Sequence, residues 1–297
     1  MAPITPGYPA GVGTVLALDV GGTKLAAAVV RDDGTIVSAA RRPTEGGDGE
    51  ELFGHVVSLL DEVGSLAGSE RPSALGVGCG GPMEPGGRSV SPLNIPQWRR
   101  FPLADRLTSA TGLPTRIDND AKALALGEGR WGAAVGVDDY LAMVVSTGVG
   151  GGIVLGGSLL DGHAGNAGHI GHVVVEPLGR VCACGARGCL EAEASGTAIA
   201  AITGAPAAEA PVEVRVRTGR LVGRAVASVC NLLDLQLAVV AGSVAFGFGA
   251  DLLEAANAEL ERCARLDFSR EARIVPSGCG TGDTGPLLGA AAVALRE

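Results

Sequence analysis

Aromatic side chains are scarce: two tryptophans, two tyrosines and five phenylalanines make up 3 % of the 297 residues. A core must therefore be packed from Ala, Val, Leu and Ile, in keeping with a hydrophobic share of 46 %, ordinary for a globular protein. Positive charge is also in deficit, with 23 Lys and Arg against 32 Asp and Glu, a net charge of -9. That balance excludes a nucleic-acid surface, where clustered cations must replace phosphate counterions. The runs Arg41-Arg42 and Arg99-Arg100 read as solvated faces. Lys24 is the first basic residue, so the N-terminus lacks the charged region of a signal peptide. No apolar stretch reaches the ~18 residues needed to span a bilayer. Neither nucleic acid nor membrane is expected as a partner, and a cytoplasmic location follows by default. The G-x-x-x-x-G-K-[ST] spacing of a Walker loop is missing too.

Glycine is abundant instead, at 48 residues. The glycines sit in short clusters between apolar runs, which implies tight backbone turns and not a flexible linker. Residues 1–13 read as an irregular tail. Strands are expected at Thr14–Val20, Leu25–Val30, Thr35–Ala40, Ala74–Gly78, Pro114–Ile117, Tyr140–Ser146, Ile153–Leu155 and Leu237–Val240. Helices are expected over 50–67, Asp105–Thr111, Ala121–Arg130, Leu221–Leu233, near Asp251–Cys263, and Gly285–Leu295. Residues 201–215 read as a surface connection. Strands alternating with helices point to an α/β architecture. The strand, glycine turn, strand pattern occurs at both Asp19–Lys24 and Ser146–Gly152, which hints at two related halves.

Seven cysteines are unevenly placed. Cys79, Cys230, Cys263 and Cys279 are scattered and read as small buried hydrophobes. Cys182, Cys184 and Cys189 are crowded into eight residues, and a reduced, metal-binding use fits them better than a disulfide framework. With His172 they supply one imidazole and three thiolates, a tetrahedral set that selects zinc. Four protein ligands leave no open position, so this Zn2+ is expected to be structural. Unrelated buried cysteines are the competing reading.

The turns DVGGTK (Asp19–Lys24) and STGVGGG (Ser146–Gly152) can cradle phosphate oxygens on backbone N–H groups, with a threonine hydroxyl as a further donor. Asp19 could hold magnesium. Two plain glycine hairpins are the alternative. Asp118-Asn119-Asp120 lies between a strand and a helix, where a carboxylate can accept a proton from an alcohol or simply cap the helix. His169 stands three residues before His172, either as a satisfied polar turn residue or as a ligand contact.

Gly171-His172 followed by Cys182-Ala183-Cys184-Gly185-Ala186-Arg187-Gly188-Cys189-Leu190-Glu191 resembles the zinc signature of the ROK family (repressors, open reading frames and kinases). DVGGTK and STGVGGG are similar to its phosphate loops, and Asn119-Asp120 to its catalytic pair. The resemblance implies a two-lobe actin-like fold of the hexokinase/Hsp70, ribonuclease H-like kind, with a cleft between α/β lobes. One lobe would span residues 1–121, rejoined by a helix over 285–297; the larger one, with the zinc loop, would span 122–284. The implied reaction is transfer of the ATP γ-phosphoryl group to a sugar C6 hydroxyl, with Mg2+ accompanying ATP. Asp120 would be the general base, and Gly81, Asn94, Asn119, His169, His172 and Glu191 would contact the sugar. Gly21, Gly22, Thr23, Lys24, Thr147 and Gly148 would hold phosphates, and Gly242-Ser243 would form the adenosine loop, with Ala241 standing where the family usually has glycine. A homodimer or a tetramer is implied as well.

Two further points bear on the substrate. Most family kinases carry Glu-x-Gly-His where this chain has His169-Ile170-Gly171-His172, and that glutamate grips hydroxyls near C1 and C2. The string Ala167–His172 is similar to that of the family's enterobacterial N-acetylmannosamine kinases. N-acetylmannosamine is therefore the expected substrate, with a glucokinase or another hexokinase as the alternative. A sugar-responsive repressor is the alternative of another class, disfavoured because a strand expected by Thr14 leaves no room for a helix-turn-helix.

Overall fold

Each of the two glycine turns sits beside the first strand of its own five-stranded sheet. The computed structural model describes residues 13–296; most of the tail at residues 1–13 lies outside them. The chain divides into two compact units. The first holds the described residues up to Trp131, with Asp161–Gly165 and the residues from Gly282 on; the second holds Gly132–Leu160 and Asn166–Thr281.

In the first unit β1 (Thr14–Val20), β2 (Lys24–Arg31) and β3 (Ile36–Pro43) form an antiparallel meander, and β4 (Leu75–Cys79) and β5 (Thr115–Asn119) extend it in parallel, in the order β3-β2-β1-β4-β5. Every residue of β1 is buried, as expected of a strand covered on both faces. Helix α1 (Gly49–Leu66) starts where Asp48 accepts the Glu50 and Glu51 N–H groups, both at 2.9 Å, an N-cap. It buries Leu52, Phe53, Val56, Leu59, Leu60 and Val63, the stripe that its helical spacing predicts. Helices α2 (Leu103–Thr111) and α3 (Asp120–Trp131) follow.

The second unit repeats the plan. Strands β6 (Tyr140–Val145), β7 (Val149–Leu155) and β8 (Ser158–Leu159) form the meander. Later come α4 (Leu190–Ala194), α5 (Gly196–Thr203), α6 (Val212–Leu233), β9 (Leu237–Ala241), α7 (Ser243–Cys263) and β10 (Arg273–Pro276). The sheet order is β10-β9-β6-β7-β8, with β9 parallel to β6 and β10 parallel to β9. Read from its meander edge, this is the order and sense of the first sheet. Each unit has its own apolar cluster, one around Leu18, Leu59 and Trp98, the other around Leu141, Val226 and Leu252.

Three expectations shift. Helix α6 begins at Val212, inside the supposed surface connection, which also holds a turn of 3-10 helix at Ala207–Glu209. The Val/Arg alternation of Val212–Arg217 mimics a strand, but Arg215 pairs with Asp251 (3.6 Å) and Arg217 with Glu193 (2.5 Å) from a helix. Helix α7 begins at Ser243 instead of near Asp251, and Gly249 interrupts it with φ 51. Strand β7 takes in the glycines of STGVGGG from Val149 onward.

The last helix, α8 (Thr284–Ala294), returns to the first unit and is buried along nearly its whole length. Small residues let it approach the sheet closely: a Cβ on Gly76 of β4 would run into the Ala290 carbonyl and stand 2.5 Å from the Ala294 nitrogen. Gly76→Ala is expected to destabilise the protein by about 3 kcal/mol, the cost of overpacking against backbone, and urea unfolding measures it; an unchanged midpoint would mean that α8 slides freely.

Candidate active site and metal centre

Register brings the first group of candidate residues to one edge. Val20 of β1 stands beside Cys79 of β4, and Cys79 beside Asn119 of β5. These parallel strands therefore end together and deliver the Gly21-Gly22 turn, Gly80-Gly81 and Asp120 to the carboxyl edge of the sheet, where open α/β sheets bind ligands. The Gly21 N–H donates to the Lys24 carbonyl (3.0 Å), which closes the DVGGTK turn, and Thr44 ties Thr23 and Gly21 from outside at 3.1 and 2.7 Å. Only glycine fits at position 22, because any Cβ there would collide with the Asn94 side chain. A side chain at Gly81 would begin 3.8 Å from the Asn119 amide nitrogen.

Both readings of Asp118-Asn119-Asp120 apply at once. The Ala121 N–H donates to Asn119 Oδ1 (3.0 Å) and to Asp120 Oδ1 (2.8 Å), so the pair caps α3. Capping fixes the side chains at the helix start and leaves the Asn119 amide N–H groups for a ligand. Asp118 turns into an ion cluster, 3.2 Å from Lys122 and 3.0 Å from Arg296, and both cations also hold Asp161 at 2.7 Å.

Asp19 is buried, and its carboxyl is pushed up from 3.8 to about 7, first by burial and then by the charge of Asp120; Lys24 opposes the rise and Asp283 adds to it. Lys24 pairs with Asp283 at the start of α8, and Arg41 reaches the same carboxylate at 3.5 Å. Cys79, buried near both carboxylates, is held in its thiol form by that burial and their charge.

The second group gathers around β7. Val145 faces Val149 across the Ser146-Thr147-Gly148 turn, and the Ser146 N–H closes it on the Gly148 carbonyl at 2.9 Å. Glu191 accepts the Val149 N–H at 3.1 Å, and the Thr197 hydroxyl donates to the Thr147 carbonyl at 3.0 Å. Strand β9 runs parallel to β6, so Gly242-Ser243 emerges beside this turn, with the Ser146 and Ser243 hydroxyls 2.9 Å apart. Gly168 and Gly171 lie against β7 so closely that a Cβ on either would strike the Gly151 or Val149 carbonyl. They carry His169 and His172, whose rings lie 6.0 Å apart.

His172, Cys182, Cys184 and Cys189 converge, all four ligand atoms lying within 4.8 Å of one another. His172 Nδ1 is 3.7 Å from Cys182 Sγ, and Cys184 Sγ is 3.8 Å from Cys189 Sγ. A tetrahedron with zinc–sulfur bonds of about 2.3 Å has edges of about 3.8 Å. The donors and their spacing therefore fit zinc. Backbone bonds shape the loop around them, with the Cys182 N–H on the Ala186 carbonyl (2.8 Å) and the Gly185 N–H on the Cys182 carbonyl (2.9 Å). Glu193, buried just beyond Cys189, accepts the Arg180 N–H and pairs with Arg217 of α6, both at 2.5 Å. No local motif announces Glu193 or Asp283, because the cations that pair with them, Arg217 and Lys24, lie 24 and 259 residues away in the chain.

The ROK family model matches residues 15–297. The chain belongs to the ROK family. It is 38 % identical over 252 residues to an N-acetylmannosamine kinase of Escherichia fergusonii, covering 80 % of this chain and 85 % of the relative. A glucokinase of Thermotoga maritima is 42 % identical over 188 residues, 62 % of this chain and 58 % of the relative. Among solved structures, the ROK family glucokinase of Streptomyces griseus in complex with glucose and AMPPNP superposes with a TM-score of 0.79 at 30 % identity, covering 95 % of this chain and 99 % of that one. The fold is accordingly the two-lobe actin-like fold of ROK sugar kinases. Among the described residues, no helix of this ROK protein is long and apolar enough to cross a membrane.

Two predictions follow from the geometry. Folding raises the Asp19 pKa, so the folded protein holds that proton more tightly than the unfolded chain; the stabilisation is complete below about 4 and is lost as pH rises through about 7,. Asp19→Asn is therefore expected to be more stable than wild type at pH 8, by on the order of 2 kcal/mol, and to lack this pH dependence; thermal melts without Mg2+ or ATP check it, and parallel pH profiles would refute it. For the metal centre, elemental analysis is expected to find one zinc per chain. Chelation or Cys184→Ser is expected to strip hydrogen-exchange protection from residues 172–191 and spare the first unit, whereas an unaltered exchange map would show that the loop stands without metal.

Proposed function

We propose that this ROK-family sugar kinase transfers the γ-phosphoryl group of ATP to the C6 hydroxyl of N-acetylmannosamine. The observation that carries the reading is Asp120, held by capping bonds at the strand-end edge of the first unit beside Asn119 and Gly81. There it can accept the C6 hydroxyl proton while that oxygen attacks the γ-phosphorus and the bond to the departing ADP oxygen breaks. Phosphoryl transfer needs little covalent chemistry from the protein, so positioning and charge do most of the work. Asn119, Asn94 and Gly81 would orient the sugar from the first unit, and His169, His172 and Glu191 from the second. The turns Gly21–Lys24 and Thr147-Gly148 would receive phosphate oxygens on their N–H groups, and Gly242-Ser243 the adenosine.

Mg2+ bound with ATP supplies charge neutralisation of the phosphates, and Asp19 is the carboxylate at the DVGGTK turn suited to hold it once ionised. Zinc in the four-ligand centre supplies no catalytic step; it would brace the loop from His172 to Cys189 and so orient His172 and Glu191.

The specificity rests on His169. A histidine in place of an acidic group removes a strong double acceptor for vicinal hydroxyls and offers one ring N–H and one ring nitrogen, a set suited to an N-acyl sugar. The E. fergusonii relative supports this choice, while the T. maritima relative and the glucose complex favour glucose as the second reading.

A panel of sugars with ATP, followed by coupled ADP release, distinguishes the two. N-acetylmannosamine is expected to give the highest kcat/KM, and preference for glucose would overturn the specificity while sparing the kinase. Asp120→Asn is expected to cut kcat by ~10³-fold or more while sugar still binds; a variant of near-normal kcat would remove Asp120 from the role of base. Sugar binding without turnover of any sugar in the panel would favour the regulator.

A further inference from the structure

Arg99 is exposed like its neighbour Arg100, but its guanidinium is engaged by the backbone. Its Nη1 lies within hydrogen-bond distance of three backbone carbonyls, Pro92 at 3.0 Å, Ile95 at 2.8 Å and Trp98 at 2.7 Å, which its two N–H groups share. Those carbonyls belong to one turn, the segment that carries Asn94. The turn also bonds within itself, through Ile95 N–H to Pro92 and Trp98 N–H to Ile95, both at 3.1 Å. We propose that Arg99 is a positioning residue for sugar binding, its guanidinium locking the Pro92–Trp98 turn so that Asn94 is held at the strand-end edge beside Gly22. The proposal rests on the reading of Asn94 as a sugar ligand.

The turn is anchored at both flanks, and between them Ile95 is buried in the core of the first unit. Before it, the Ser91 N–H donates to the Pro82 carbonyl (2.8 Å) and the Leu93 N–H to the Gly81 carbonyl (3.2 Å), which couples it to another candidate sugar contact. After it, Trp98 is fully buried, stacks on Phe101 at 4.7 Å between ring centroids and donates its indole N–H to the Gly49 carbonyl at 3.0 Å. Around Ile95 the side chains of Leu93, Asn94, Pro96 and Gln97 are exposed, so the Asn94 side chain is not itself held by burial. Three carbonyls directed at one point make a concentrated negative region. A charged donor answers it with stronger bonds than a neutral one could.

Asn94 has little room for error. Its side chain packs against Gly22 so closely that no Cβ is tolerated there, and the Gly22 backbone belongs to the candidate phosphate turn. A shift of the Pro92–Trp98 turn by a fraction of an ångström would withdraw the Asn94 amide from a hydroxyl or press it into the DVGGTK turn. Arg99 itself makes none of these contacts; it acts through the turn.

The test is a double-mutant cycle. Steady-state kinetics with ATP and the best sugar of the panel are measured for wild type, Arg99→Met, Arg99→Lys, Asn94→Ala and the Arg99→Met/Asn94→Ala double variant. Arg99→Met is expected to raise the sugar KM by ~10-fold with kcat and the ATP KM within about twofold, the pattern of lost ground-state positioning. Arg99→Lys keeps the charge and the N–H donors on a shorter side chain, so it is expected to fall between, and it stands in should Arg99→Met fail to fold. With Asn94 already Ala, removing Arg99 is expected to cost nothing more in sugar KM. Equal increments in both backgrounds, a fall in kcat alone, or an unchanged sugar KM in Arg99→Met and Arg99→Lys would overturn the positioning role. If Asn94→Ala leaves the sugar KM unchanged, the assignment of Asn94 as a ligand fails first and the proposal with it.

Discussion

One hydrogen bond joins the candidate metal centre of the second unit to its glycine turn. The Glu191 carboxylate accepts the Val149 N–H at 3.1 Å, and Glu191 lies two residues after Cys189 of the metal centre. Val149 opens β7 directly after the Ser146-Thr147-Gly148 turn. A loop that sequence alone would assign to metal binding is thus tied to the turn assigned to phosphate. The candidate metal set is flanked by Ile170, Val175 and Leu190 of the second unit's apolar cluster. Polar ties add to that packing: Glu191 on one side, Glu193 with Arg180 and Arg217 on another, and the glycine contacts that lay His169 and His172 along β7. Charge-assisted bonds of this kind are strong when partly buried, and losing one partner strands the other.

The glycines of STGVGGG show what could and could not be read from the chain. As a turn signal they were legible, and the turn is where they predict it. Most of the run, however, is strand, and its lack of side chains serves packing as much as it serves a phosphate, because Gly168 and Gly171 come down on its carbonyls. Composition cannot separate these uses, since both demand close approach to backbone. The strands β1, β6 and β9 were legible for the opposite reason: each is a short apolar run bounded by glycine or polar residues. Helix α6 was half hidden because Val212–Arg217 alternates like a strand, and its arginines find their carboxylates only once the fold exists. Arg99 was read only in part, for a similar reason: it is exposed, yet engaged. Adjacent arginines look like surface, and no sequence pattern says that three carbonyls will face one of them. The candidate metal ligands needed no tertiary information, since three of the four fall within eight residues.

The repetition of one sheet plan in both units gives the candidate residues a common logic. In each, a meander's first strand is extended by parallel strands, and the carboxyl ends of those strands deliver the candidate residues: Gly21-Gly22, Gly81 and Asp120 in one, Ser146–Gly148 and Gly242-Ser243 in the other. Strand register, more than any side-chain contact, decides which residues share an edge. A side chain can be exchanged at modest cost, whereas a slip of one residue along β5 would send Asn119 to the opposite face. The duplication suspected from two short glycine motifs is therefore better supported by topology than by their resemblance.

Asp19 shows what that edge costs. Burial and the neighbouring charge of Asp120 make its ionised form unfavourable, and Lys24 offsets this only in part because it is also engaged by Asp283. A chain selected for stability alone would place an apolar or amide side chain at the end of β1. The carboxylate is kept where it is strained, and a bound cation is the partner that would relieve the strain. The same argument explains why the site is assembled on strand ends and helix caps: a group whose preferred charge state is opposed by its surroundings must be held by rigid elements, or the chain would relax around it.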